Sequence, residues 1–182
     1  MKRILLGLAL LAAAIWLGRR TARRSQPTPT YHFEASQVVP ASPAETFRFF
    51  EDPQNLARLT PPALNFQIVK IDGLPMATGT TIEYRIRLLG RTQRWRSLIV
   101  DYQQGRRFVD IQTSGPYSYW RHEHRFEEVD GKTRMSDRVE YRLPYGRLGA
   151  LAQRVLVARQ LRQIFDYRSR AIQSIFGESA AG

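Results

Sequence analysis

The chain has 182 residues, 43% hydrophobic and 11% aromatic, enough for one domain with a real core and too apolar for a chain disordered throughout. It contains no cysteine, which removes disulfides, thiolate nucleophiles and thiolate metal sites together and leaves the redox compartment open. Of the formal net charge of +12, residues 1–30 carry six basic side chains and no acid; the remaining 22 basic against 16 acidic residues are too evenly spread to point to nucleic acid.

In chain order, the first feature is Ile4 to Leu17, an apolar run preceded by Lys2 and Arg3 and followed by Arg19, Arg20, Arg23 and Arg24. As a helix it spans about 21 Å against a hydrocarbon core of ~30 Å, so a retained anchor, a cleaved signal and an interfacial helix all have to be weighed. Ala12 to Ala14 sit inside the run, which continues through Ile15, Trp16 and Leu17 into arginine. That is unlike a cleavage site, whereas snorkelling arginines and an interfacial tryptophan can stretch a short span. The expectation is a single-pass anchor over residues 1–24 in the inner (plasma) membrane. The positive-inside rule favours a cytoplasmic domain behind it. Residues 25–30 read as a polar, proline-bearing linker.

The globular part is expected over residues 31–177, with 178–182 as a disordered tail. Tyr31 to Val39 reads as a strand. Ser42-Pro43-Ala44-Glu45 then supplies N-cap, first-turn proline and capping-box glutamate for a short helix through Phe50. Asp52-Pro53 repeats the start signal for a second short helix ending before Pro61-Pro62, with Leu56 and Leu59 as its buried side. From Leu64 the hydrophobic period becomes two: Leu64, Phe66 and Ile68, then Ile82, Tyr84, Ile86 and Leu88, alternate with polar residues. Turns at Leu89-Gly90, Gln103-Gln104-Gly105 and Asp130-Gly131 divide the rest into strands Arg91–Tyr102, Arg106–Thr113, Tyr117–Val129 and Lys132–Leu143. Finally, Arg147 to Phe176 reads as one helix with Leu151, Val155, Ala158, Leu161, Phe165, Ile172 and Phe176 on its apolar face and Gly177 as a left-handed C-cap. The fold class is therefore α+β: a curved antiparallel sheet covered by one long C-terminal helix.

The last hairpin places the polar residues of interest. A two-residue turn at Asp130-Gly131 pairs Phe126 with Met135, His124 with Asp137, His122 with Val139 and Trp120 with Tyr141, all on one face, with charged residues on the other. Two histidines and an aspartate thus face the apolar helix. They read as a satisfied polar pair, His124 with Asp137, in a core lined by Trp120 and Tyr141. They also read as the polar end of a small-molecule pocket. A metal trio of His122, His124 and Asp137 is a third reading, but pleat geometry alone often produces such trios, and neither a metal nor another cofactor is expected. No nucleophile elbow, glycine-rich phosphate loop or outstanding carboxylate pair occurs. A His–Asp pair does suit proton transfer next to a carbonyl.

The order β-α-α-β6-α, with Leu59-Thr60-Pro61-Pro62, Asp110, Gly115-Pro116-Tyr117, Trp120 to Phe126 (WRHEHRF) and Asp137 to Tyr141 (DRVEY), resembles the START-like SRPBCC superfamily, which includes polyketide cyclase/dehydrase-type and coenzyme Q-binding proteins, over residues 31–176. The resemblance implies a seven-stranded helix-grip fold with a hydrophobic ligand cavity between sheet and helix, and it supplies no reaction. The leading expectation is a membrane-tethered domain binding a lipid, quinone or polyketide-like molecule, lined by Phe66, Tyr84, Trp95, Trp120, His122, His124, Asp137 and Tyr141. The alternative is a cyclase or dehydratase using His124 and Asp137 as catalytic residues. A nucleic-acid or scaffold protein is a third class, disfavoured by the dispersed charge.

Overall fold

The computed structural model of the chain describes residues 28–144 and 156–179. The expected membrane segment, the start of the expected linker, the part of the expected long helix with Leu151 and Val155, and residues 180–182 of the expected tail lie outside the described residues. Strand β1 (Tyr31–Val39) leads into helix α1 (Pro43–Glu51) and two 3-10 turns, Pro53–Ala57 and Pro62–Leu64. Strands β2 (Gln67–Asp72), β3 (Thr81–Leu88), β4 (Arg91–Gln103), β5 (Arg107–Ser114), β6 (Tyr119–Val129) and β7 (Lys132–Arg142) follow, and helix α2 (Ala158–Ser179) ends the described chain. All seven strands pair antiparallel in the order β1-β7-β6-β5-β4-β3-β2, so the last strand inserts beside the first. This is the helix-grip α+β fold.

Local chemistry explains most boundaries. Ser42 caps α1 by accepting from the Glu45 amide at 3.3 Å, Pro43 occupies its first turn, and Thr46, Phe47 and Phe50 form its buried side. Asp130 and Gly131 both have positive φ, 52° and 73°, the type I′ turn whose twist matches a two-residue hairpin. The β6–β7 register is accordingly the expected one, with Trp120 opposite Tyr141, His122 opposite Val139, His124 opposite Asp137 and Phe126 opposite Met135.

Three expectations need correction. The alternation from Leu64 does not start a strand there: Leu64 closes a 3-10 turn, Asn65 takes a left-handed conformation at φ 45°, and β2 begins only at Gln67. Proline at 61 and 62 favours the turn over an extended start. The second short helix is a 3-10 turn, with Leu59 buried just beyond it and Leu56 half-buried. Gly177 is no left-handed cap, because α2 runs through it to Ser179.

The core falls into two parts. Phe47, Phe50, Leu59, Phe108, Phe126, Met135, Ile172 and Phe176 belong to one, under α1 and the C-terminal half of α2. Leu88, Trp95, Trp120, Val139, Tyr141, Leu161 and Phe165 belong to the other. Helix α2 is tied to the edge of the sheet by Ser169 Oγ donating to Gln37 Oε1 at 2.7 Å, by Gln173 Nε2 donating to the Val38 carbonyl at 2.8 Å, and by the Phe33–Phe165 ring pair at 4.6 Å.

Candidate functional site

Between sheet and α2 lies a cavity of about 170 Å³, closed on one side by the segment Phe49–Thr60. Its apolar wall comes from alternate positions of β3 and β4, Ile82, Tyr84, Ile86, Leu88, Trp95 and Ile99, facing Leu161, Ile164 and Phe165 of α2. Aromatic rings form a continuous lining: Phe66 lies 4.9 Å from Tyr84, Tyr84 stacks on Trp95 at 5.8 Å, and Trp95 meets Trp120 edge-on at 5.1 Å. Tyr117 completes it from the β5–β6 loop, which Gln112 clamps by accepting from the Tyr117 amide at 3.2 Å and donating to its carbonyl at 2.7 Å. Gly115 lies under that clamp, where an added Cβ would run into the Gln112 side chain.

One end of the cavity is polar. Asp110, His122 and His124 line it from β5 and β6, and Asp137 of β7 stands behind the two imidazoles. His122 Nε2 is 2.9 Å from Asp137 Oδ1, where it donates to the carboxylate. His124 Nδ1 reaches the same oxygen at 2.9 Å but is not aligned for a hydrogen bond. Asp110 Oδ2 faces the opposite edge of both rings, 3.4 Å from His124 Nε2 and 3.8 Å from His122 Nδ1, and its Oδ1 accepts from Ser97 Oγ at 3.3 Å. Arg168, projecting from α2, brings Nη1 to 3.7 Å from Asp137 Oδ1 and lays its guanidinium over the rings of Phe50 and Phe165 at 5.3 and 5.7 Å. Its Nε is buried without a hydrogen-bond partner among the described residues.

Charge follows from these contacts. Burial works to raise the Asp137 carboxyl, but Arg168 and the two imidazoles outweigh it and hold it well below the usual range. Asp110 is likewise lowered, because the histidines and Ser97 outweigh burial. Burial, reinforced by His124, depresses His122 to about 4 against the opposing pull of both aspartates, so this ring is neutral at physiological pH. Burial and then the charge of Asp110 push Tyr84 well above its ordinary value, so its phenol keeps its proton.

Of the residues singled out in the sequence, Phe66, Tyr84, Trp95, Trp120, His122 and His124 line the cavity. Asp137 is set back behind the histidines, and Tyr141, 2% exposed, packs on Tyr31, Tyr117 and Trp120 instead of on the cavity wall. His124 and Asp137 are cross-strand partners as expected, but the aligned hydrogen bond to Asp137 comes from His122. Asp110 and Arg168 were not among the candidate site residues. Asp110 is two residues beyond the inward Phe108, and Arg168 falls three after Phe165 and four before Ile172, so both share the inward phase of their elements although a charged residue breaks the hydrophobic signal from which that phase is read.

A seven-stranded sheet gripping a long helix, with a cavity between them, defines a helix-grip ligand-binding class of protein. The chain belongs to the polyketide cyclase/dehydrase and lipid transport family, whose model matches residues 30–174. Among solved structures it is similar to the Zhui aromatase/cyclase from a Streptomyces species, at 15% identity and TM-score 0.61, covering 81% of this chain and 96% of that one. A norcoclaurine synthase point mutant from Thalictrum flavum is similar at 14% identity and TM-score 0.60, covering 82% and 98%. A START superfamily protein from Mycobacterium smegmatis is similar at 10% identity and TM-score 0.59, covering 81% and 97%. At these identities the likeness concerns the fold. No curated protein matches the chain in sequence.

Proposed function

We propose that the domain binds an apolar small molecule, lipid, quinone or polyketide-like, in the cavity between sheet and α2, and that the N-terminal apolar segment holds it at a membrane. The observation that carries the first part is the cavity itself, with a continuous aromatic lining and a few polar groups gathered at one end. At about 170 Å³ it is close to the ~150 Å³ engineered cavity that accepts benzene and below the ~300–1,000 Å³ of drug-sized sites. It therefore takes one ring or the leading segment of a ligand, and a longer molecule requires the wall at Phe49–Thr60 or α2 to move. The test is organic extraction of the purified full-length chain followed by mass spectrometry, with melting shifts on adding quinones or fatty acids. A retained apolar molecule, or a saturable shift, supports the reading; an empty protein that no such ligand stabilises overturns it.

The membrane part rests on Ile4 to Leu17 with its basic flanks, since none of the described helices is long and apolar enough to cross a membrane. We assign the protein to the inner membrane with its domain in the cytoplasm. Resistance of the membrane-bound protein to carbonate at high pH is the expected result, and release by carbonate, or a mature chain starting after Ala14, refutes it.

A second reading, proton transfer to or from a bound carbonyl compound, is favoured by the imidazole–carboxylate cluster facing the same cavity. In it His124 exchanges the proton and Asp137 orients the rings. His124→Gln and Asp137→Asn abolishing turnover while ligand binding persists would support it; unchanged turnover in both would remove it.

A further inference from the structure

The polar end of the cavity contains an arrangement that neither ligand binding nor a simple His–Asp pair uses. Each imidazole turns one nitrogen to Asp137 and the other to Asp110. His122 Nε2 and His124 Nδ1 are each 2.9 Å from the same Asp137 oxygen. That leaves His122 Nδ1, His124 Nε2 and a carboxylate oxygen of Asp110, all within 4.8 Å of one another, converging on the cavity. His122 Nδ1 and His124 Nε2 both face Asp110 Oδ2, at 3.8 and 3.4 Å, on the side of the rings away from Asp137. A buried carboxylate is costly unless a positive group or hydrogen-bond donors meet it. Arg168 does not fill that role, because it pairs with Asp137, and no arginine or lysine pairs with Asp110 among the described residues.

We propose that Asp110, His122 and His124 are the ligands of one divalent first-row transition ion, with Asp137 orienting both imidazoles from behind and the remaining coordination positions open to the cavity. Donors bound at ~2.0–2.2 Å to one ion stand roughly 2.8–3.6 Å apart in tetrahedral or cis-octahedral geometry. Of the separations of Asp110 Oδ2 from the two ring nitrogens, 3.4 Å already lies in that range and 3.8 Å lies about 0.2 Å beyond it. Two imidazoles and one carboxylate suit zinc, iron or cobalt ions in preference to magnesium or calcium. A carboxylate holding the far ring nitrogen of a ligating histidine, as Asp137 holds His122, is the usual outer support of such a site: it fixes the tautomer and makes the ligating nitrogen more basic. Because all three donors line the cavity, a bound ion would meet the polar end of whatever enters it.

The inference does not depend on the identity of the cavity ligand, because it is tested with metal alone. The full-length chain, carrying no polyhistidine tag and kept in mild detergent, is stripped with chelator, dialysed and titrated with Co²⁺ under visible absorption. One equivalent is expected to bind at micromolar metal with the d–d bands of a nitrogen–oxygen site, and Zn²⁺ is expected to displace it. Asp110→Asn and His124→Gln should abolish binding, while Asp137→Asn should weaken it 10–100-fold with the stoichiometry kept. Circular dichroism of each variant reports whether it folds. If the variants unfold, the wild-type titration alone decides. Failure of the wild type to bind Co²⁺ or Zn²⁺ saturably, or unchanged affinity in folded Asp110→Asn, overturns the proposal.

Discussion

Lowering the pH should destabilise the domain well before its carboxylates titrate, and His122 is the reason. Its ordinary value is 6.5, and burial with His124 beside it brings the folded value to about 4. Between these values the unfolded chain takes up a proton that the native state refuses, so stability rises with pH across this window and falls as pH drops from 6.5 toward 4. At ~1.36 kcal/mol per pH unit the gap amounts to about 3 kcal/mol, half of it lost near the middle of the window. With a urea slope of ~2 kcal/mol per M, the unfolding midpoint should fall by about 1.5 M. Asp137 and Asp110 are held low, so their stabilisation is intact above 3.8 and is lost only below it, as pH falls through their folded values. The two limbs therefore separate. The assay is urea unfolding of the full chain from pH 8 to 4, with chelator present, for wild type and His122→Gln. The variant keeps a donor for Asp137 and should lack the slope between 6.5 and 4, whatever its absolute stability. Parallel profiles, or a wild type that gains stability on acidification in that window, would refute the argument.

Other perturbations have definite outcomes. Arg168→Met leaves the buried Asp137 without its cation and should cost ~3–5 kcal/mol; in a cycle with Asp137→Asn the losses should fall short of additive, and additive losses in chemical unfolding would contradict the pairing. Ile86→Trp replaces an aliphatic side chain of the cavity wall with a bulkier indole, and the folded variant should lose any ligand-induced melting shift; retention of the full shift would place the ligand elsewhere. Ser42→Ala removes the α1 cap and should cost about 1 kcal/mol, to be read from the unfolding midpoint, with no effect on metal or ligand binding.

The part of the site on β6 and β7 is legible in the sequence because one turn fixes it. Asp130-Gly131 supplies two positive-φ residues, the two-residue turn sets the register, and the register puts His122, His124 and Asp137 on one face. The parts that are not legible have physical causes. Strand β5 joins β6 through a loop at 115–118 instead of a two-residue turn, so no turn type fixes from the sequence that Asp110 faces His122. Arg168 lies on the apolar stripe of α2, but a reading by hydrophobicity skips a charged residue, and only the buried Asp137 opposite makes its position intelligible. Leu64 and Phe66 mimic the start of a strand because alternation over three positions cannot distinguish a strand from the 3-10 turn that two prolines favour. Tyr117, expected as the first residue of a strand in phase with the outward Arg121 and Glu123, sits instead in the loop before β6, where strand alternation gives the wrong direction.

The same elements explain why this cluster is more than core polarity. A buried ion pair rarely repays its desolvation, and an apolar replacement of equal volume is often as stable or more so. Here the cost is increased, because Arg168 Nε has no partner and His124 Nδ1 no aligned one among the described residues, each a loss of about 1–3 kcal/mol if left unmet. A closed structural network would have satisfied both. Asp110, the two histidines and Asp137 are instead held on adjacent strands by the hydrogen-bond ladder of the sheet, with Asp110 opposite His122 and His124 opposite Asp137. Three of the four face the cavity. The sheet therefore fixes the donors with strand-level precision while the helix contributes one counter-charge, which is the division expected of a site whose geometry must survive the entry of a ligand past α2.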